Sequence, residues 1–175
     1  MTSLSIDRST GSATTSTHRR GRRLALAWPT TNEAPGMLRV AFASNDRSTV
    51  NQHFGAAEGF AVYALDGERA QLVEIVEFPP AAMEANEGRL PARVAALAGC
   101  AAVYCLAAGA SAVKQLLAVG VQPIRLDDEA AIDVLLQQLS RAICAGGTAW
   151  VDKAIRRQEG DSARFDRMLD EGWDE

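Results

Sequence analysis

From Leu38 to Phe78 the apolar residues repeat mostly at every second position, and after Pro79 and Pro80 they repeat at helical spacing. This change of period constrains the fold more than any other feature of the chain. Period two places alternate side chains on opposite faces of a strand, whereas the spacing i, i+3, i+4, i+7 gathers them on one face of a helix. A chain that does the first and then the second must lay helices against a sheet.

Leu38–Ser44, Phe60–Leu65 and Gln71–Phe78 read as three strands. Asp66-Gly67 is a hairpin signal, and Glu68 and Arg69 are placed to extend the turn. The three strands are therefore expected to form an antiparallel meander, stopped by the two prolines. Leu90, Val94, Leu97 and Ala98 predict a helix over Arg89–Ala98, closed by Gly99. Ala101–Leu106 reads as a short buried strand, Ala110–Val119 as a helix ended by Gly120, and Val121–Leu126 as a strand that Pro123 marks as an edge. Asp127 or Asp128 is the expected cap of a third helix over Glu129–Cys144, ended by Gly146-Gly147. The order β-β-β-α-β-α-β-α predicts an α/β domain, a ribonuclease H-like mixed five-stranded sheet with flanking helices.

Residues 1–36 differ in kind: they are rich in Ser and Thr, with a basic run from His18 to Arg23. Such a segment buries too little apolar surface to offset its ordering entropy, so it is expected to be mostly disordered. The basic run reads as part of a solvated tail, with docking on an acidic partner as the alternative. The α/β domain is expected over 37–147. Beyond it, 148–175 forms a charged helical tail, read as two short helices divided at Gly160-Asp161-Ser162. Its Trp150, Val151, Ile155, Phe165, Met168, Leu169 and Trp173 either pack back on the domain or meet a partner.

A net charge of −4 argues against a nucleic-acid binder, which normally carries a basic face. No apolar run approaches a membrane span, and the N-terminus lacks a secretory core, so a cytoplasmic protein is expected. Three cysteines make a disulfide framework unexpected.

The chemistry narrows by elimination. A nuclease of this fold needs carboxylates for two metals, one of them inside the first strand, but that strand reads Val40-Ala41-Phe42-Ala43 and Asp46 comes only after it. No phosphate-binding glycine motif is present. The strand-to-helix junction at Gly109 and Ser111 offers backbone N–H groups to an anion, but every such fold has this junction. No local signature makes His53 or Cys105 part of a nucleophilic pair. Cys100, Cys105 and Cys144 contain no CxxC pair, and three thiolates cannot complete a four-cysteine cluster site. Each cysteine taken alone reads as a small buried hydrophobe. What remains is His53, on a polar loop between two strands. It is either a plain loop or helix-cap histidine, or an imidazole that donates, alone or with one thiolate, to a preassembled cluster bringing its own sulfides.

Three stretches resemble a known family: "VAFASNDRSTVNQHFGAAEGFAVY", "GRLPARVAALAGCAAVYCLAAGASAVKQLLAVGVQPI" and the closing "RFDRMLDEGWDE". They are similar to the nitrogen-fixation branch of the dinitrogenase iron–molybdenum cofactor biosynthesis family. The resemblance runs from about Leu38 to Glu175 and leaves out the N-terminal segment. It implies a carrier and not an enzyme. Such a protein transiently binds an iron–sulfur precursor of the cofactor, the NifB cofactor, taking it from NifB and exchanging it with the scaffold NifEN. Position by position, it implies His53 as a metal ligand, with Phe54 and Gly55 shaping the loop and Cys105 as a strand-end cysteine and second candidate ligand. Asn51 stands where relatives often carry Asp. The anionic cargo would face the amides that follow Gly109 and include Ser111, and a monomer is expected. The competing reading is a non-catalytic regulator of nitrogenase assembly that docks through the C-terminal tail.

Overall fold

The computed structural model describes residues 22–25, 36–80 and 86–171. In chain order these hold β1 (Arg22–Ala25), β2 (Leu38–Ala43), the two-residue β3 (Thr49–Val50), β4 (Gly59–Leu65), β5 (Ala70–Glu77), α1 (Asn86–Ala96), β6 (Ala102–Cys105), α2 (Ala110–Ala118), β7 (Gln122–Arg125), the two-residue β8 (Ala130–Ala131), α3 (Ile132–Ala145) and α4 (Ala149–Glu171). The main sheet has the order β1-β5-β4-β2-β6-β7, and β3 pairs with β8 alone.

The expected meander is present: β4 runs antiparallel to both β2 and β5. β2, β6 and β7 are parallel, as helical crossovers require. β2 is central and almost wholly buried, which explains its continuous apolar run. Its side chains divide by parity. Ala41 and Ala43 join Phe60, Val62 and Val76 in a cluster under Val94 of α1, Leu97 in the turn just after it and Leu116 of α2. Val40 and Phe42 join Ala61 and Tyr104 in a second cluster under Leu135, Leu136 and Leu139 of α3 and Val151 of α4. Helices therefore cover both faces of the mixed sheet, whose five expected strands run β5-β4-β2-β6-β7.

Four expectations meet these elements with different outcomes. First, Arg22–Ala25 lies within the segment expected to be mostly disordered, yet it forms a sixth strand on the free edge of β5. An unpaired edge offers a row of backbone donors and acceptors to any nearby extended segment. Second, the β4–β5 turn takes four residues, extended through Glu68 and Arg69 as expected. Asp66 N–H donates to the Arg69 carbonyl at 2.9 Å, and the Asp66 carboxylate accepts from the amides of Glu68 and Arg69 at 2.7 Å each.

Third, neither Asp127 nor Asp128 caps α3. The helix starts at Ile132, whose N–H donates to the Ser48 carbonyl at 2.8 Å, so a backbone group from a distant loop does the work of a cap. Fourth, α4 is one continuous helix through Gly160. A glycine in a helix interior costs only about 1 kcal/mol, too little to split a strong helix. Val151, on the first part of α4, is buried, so that part packs back on the domain. Trp173 lies outside the described residues. The glycine terminators at Gly99 and Gly120 have φ of 87° and 80°, the left-handed conformation that ends a helix at little cost.

Candidate functional site

β2 leads to β4 on one side of the sheet and β6 leads to β7 on the other. Between such diverging strands, at their C-terminal ends, an open α/β sheet leaves a crevice where ligands bind. The loop carrying His53 is laid across this point. Asn51 N–H donates to the Ala43 carbonyl at the end of β2, at 3.2 Å. Leu106 N–H donates to the Gln52 carbonyl at 3.0 Å, and Phe54 N–H donates to the Ala107 carbonyl at 2.8 Å, just past β6.

Side chains fix the loop further. The Gln52 amide oxygen accepts from Glu58 N–H at 2.9 Å and, more weakly, from Gly59 N–H at 3.4 Å. Asn51 and Asn45 hydrogen-bond each other through side chain and backbone at 2.7 and 3.2 Å. The Phe54 ring is fully buried and tilts against Phe60 at 5.5 Å. Phe54–Ala56 forms a single 3-10 turn, and His53 stands at its N-terminus in extended conformation. The His53 side chain is exposed and makes no capping hydrogen bond. The polar loop is thus a rigid mount, and the imidazole on it is spent on none of the mount's own contacts. That removes the helix-cap alternative for His53.

The expected partners of His53 are placed unequally. Gly109 is the N-cap of α2 and has no capping side chain; no acid lies in the first turn of α2, and Ser111 is exposed there. The helix N-terminus next to Ala107 therefore carries no acid in its own first turn. A Cβ built on Gly55 or on Gly109 would meet nothing within 4 Å, and neither has a positive φ. Neither glycine is required by the chain's own packing. Cys105, by contrast, is fully buried in the cluster under α1 and α2. Burial pushes its thiol up to about 11, against a smaller opposing effect of the Phe54 backbone N–H. At neutral pH only about one molecule in ten thousand carries the thiolate. The fold brings His53, Phe54, Gly55, Gly109 and Ser111 to one edge, and Cys105 beneath it.

Asp46, the acid after the first strand, turns its oxygens on its own loop. It accepts from Ser44 Oγ, the Ser48 and Thr49 amides and Thr49 Oγ1, at 2.5–2.9 Å. These bonds hold its carboxyl well below the usual carboxylate range, the Thr49 hydroxyl contributing most. Among the described residues no group of three or more His, Cys, Asp or Glu side chains could hold a metal ion. Two cavities lie away from His53. One of about 330 Å³ is at the other end of the sheet beside Arg157 of α4, and one of about 230 Å³ lies beside Arg47 and Glu58. His53 lines neither and is exposed.

One residue of the site was missed. Arg93 of α1 is fully buried and donates to the Ala57 carbonyl at the end of the His53 turn. Its signal was a charge inside the apolar stripe Leu90, Val94 and Leu97.

The family model described as dinitrogenase iron-molybdenum cofactor matches residues 37–142. Protein NifX of Azotobacter vinelandii is 49% identical over 140 residues, 79% of this chain and 89% of that protein. Protein NifX of Klebsiella pneumoniae is 35% identical over 136 residues, 77% of this chain and 82% of that protein. Among solved structures, the crystal structure of PH0822 is 25% identical, with a TM-score of 0.49, covering 60% of this chain and 90% of its own.

Proposed function

This chain belongs to the dinitrogenase iron-molybdenum cofactor family, and on that premise we propose that it is a non-catalytic carrier that reversibly holds an iron–sulfur precursor of the cofactor at His53. The observation that carries the reading is an exposed imidazole, free of capping duty, on a loop pinned at the switch point of the sheet beside a bare helix N-terminus. The precursor is cargo and brings its own sulfides and negative charge. A neutral imidazole gives one iron a bond that an acceptor can outcompete. The free amides of the first turn of α2 face the charge. Gly55 and Gly109 leave room for a cluster to approach the backbone. An open edge with one good ligand suits a load that must be handed on.

On this reading the cargo is the NifB cofactor, supplied by NifB and passed to NifEN, and the protein works as a cytoplasmic monomer. On this reading His53 is the principal ligand, and Cys105, buried beneath the loop, is a second candidate. The ribonuclease H-like reading of the layout is supported by the order β5-β4-β2-β6-β7 with β4 alone reversed.

The test is an anaerobic titration with the NifB cluster product, following visible absorption on the protein after gel filtration. The wild type should retain the colour and His53→Ala should lose it. Equal retention by both moves the ligand away from His53. If neither retains the colour, the carrier reading fails. Docking through the C-terminal tail is then tested by truncation after Thr148.

A further inference from the structure

Arg93 is the largest fully buried side chain in the domain. It sits in the stripe that α1 turns to the sheet, between Leu90 and the buried Val94 and Leu97. Packing alone does not call for an arginine there, because an apolar side chain of similar volume fills such a space without desolvating a charge. Its donors explain it. Nε and Nη2 both donate to the Ala57 carbonyl, at 2.9 and 2.7 Å, and Nη1 donates to the Arg89 carbonyl of its own helix at 3.2 Å.

Ala57 closes the turn that His53 opens: its N–H donates to the Phe54 carbonyl at 3.3 Å, while its own carbonyl is gripped by Arg93. A second route runs through rings. The Arg93 guanidinium lies 4.6 Å from the centroid of Phe78. Phe78 packs edge-on against Phe60 at 6.0 Å, and Phe60 packs against Phe54. Phe78 N–H also donates to the Glu58 carbonyl at 2.8 Å. Both routes end on residues that flank His53.

We propose that Arg93 is the positioning residue of the His53 loop: it fixes the turn from beneath, so that the backbone carrying the imidazole is held in one place for the iron–sulfur cargo. The inference rests on the carrier reading for its consequence, but the positioning can be tested without cargo. Lysine cannot replace the planar fork, because its ammonium offers a point charge and does not stack flat on a ring.

The experiment uses the full chain as wild type, Arg93→Met, Arg93→Lys and, as a stability control on the opposite face of the sheet, Leu139→Ala. Three quantities are read: the melting temperature, the His53 ring resonances without cargo, and retention of the NifB cluster product per folded molecule. Arg93→Met should shift or broaden the ring resonances and weaken retention about 10- to 100-fold, as loss of a ligand's supporting contact does. Arg93→Lys should fall between it and the wild type. Leu139→Ala should lower the melting temperature and leave the other two readouts in place. The proposal is overturned if the ring resonances of Arg93→Met match the wild type, or if Leu139→Ala moves them as far. If Arg93→Met does not fold, Arg93→Lys decides: shifted ring resonances support the proposal and unchanged ones overturn it. If the wild type itself retains no cluster, the carrier reading fails and the resonances alone decide on Arg93.

Discussion

Replacing Phe54 by alanine tests whether the His53 loop is a mount or merely a connection. The ring has no exposed surface, packs at 5.5 Å from Phe60, and lies in the cluster that α1 and α2 share with the sheet. Phe→Ala at such a site removes the apolar transfer energy and leaves a cavity, for a cost of about 3–5 kcal/mol. Against a total stability of about 5–15 kcal/mol, the variant stays mostly folded. At about 2–4 °C per kcal/mol for a chain of this size, the melting temperature should fall by roughly 6–20 °C. Phe54→Leu keeps most of the apolar volume and should lose only about 1–1.5 kcal/mol. Part of the loss belongs to the pair. A double-mutant cycle with Phe60→Leu should return a coupling of about 0.5–1.5 kcal/mol. The assay is urea unfolding followed by circular dichroism, with the slope checked for constancy. Hydrogen exchange at Leu106 and Phe54, whose amides bond the Gln52 and Ala107 carbonyls, should speed up in the alanine variant. A loss below about 1 kcal/mol for Phe54→Ala, with both amides still protected, would show that the backbone bonds alone hold the loop and that the ring does not anchor it.

Two more perturbations follow from the same physics. Gly120 has φ of 80°, and a Cβ there would run into Arg157 Nη1, so Gly120→Ala should cost about 1–2 kcal/mol in backbone strain and displace Arg157 from the Gly120 carbonyl; an unchanged urea midpoint would refute this. Stability should also fall at alkaline pH, because burial raises Cys105 from 9.0 to about 11 and Tyr104 from 10.0 to about 12. Between each pair of values the unfolded chain releases a proton that the folded chain keeps. Stability therefore falls as pH rises through that window, by up to about 1.4 kcal/mol per pH unit per group. Urea midpoints compared near pH 7.5 and near pH 10.5 check it, and Cys105→Ala should flatten the earlier part of the decline.

How far the site was legible differs from residue to residue. His53 stood out as a lone imidazole on a polar loop, but the residues alone left a plain loop histidine open, and the ligand reading came from the resemblance, which matched it position by position. Phe54 and Gly55 came with it. Cys105 was legible as a strand-end cysteine, but strand position says nothing of the loop that closes over it. Arg93 was hidden by the habit of placing arginines on the wet side of a helix. Its partner, the Ala57 carbonyl, is 36 residues away and carries no signature of its own.

The order of strands and helices, the meander and the glycine-ended helices were determined by the sequence alone, because alternation, helical spacing and turn chemistry act over a few neighbouring residues. The tertiary structure decided what those local rules cannot reach. It set the start of α3 at a backbone bond to Ser48, paired Arg22–Ala25 with a free sheet edge, sank Cys105 beneath the loop, and placed a buried guanidinium under the turn that carries His53. Each of these depends on which polar groups need a partner once water is excluded, and that is known only when segments distant in the chain have met.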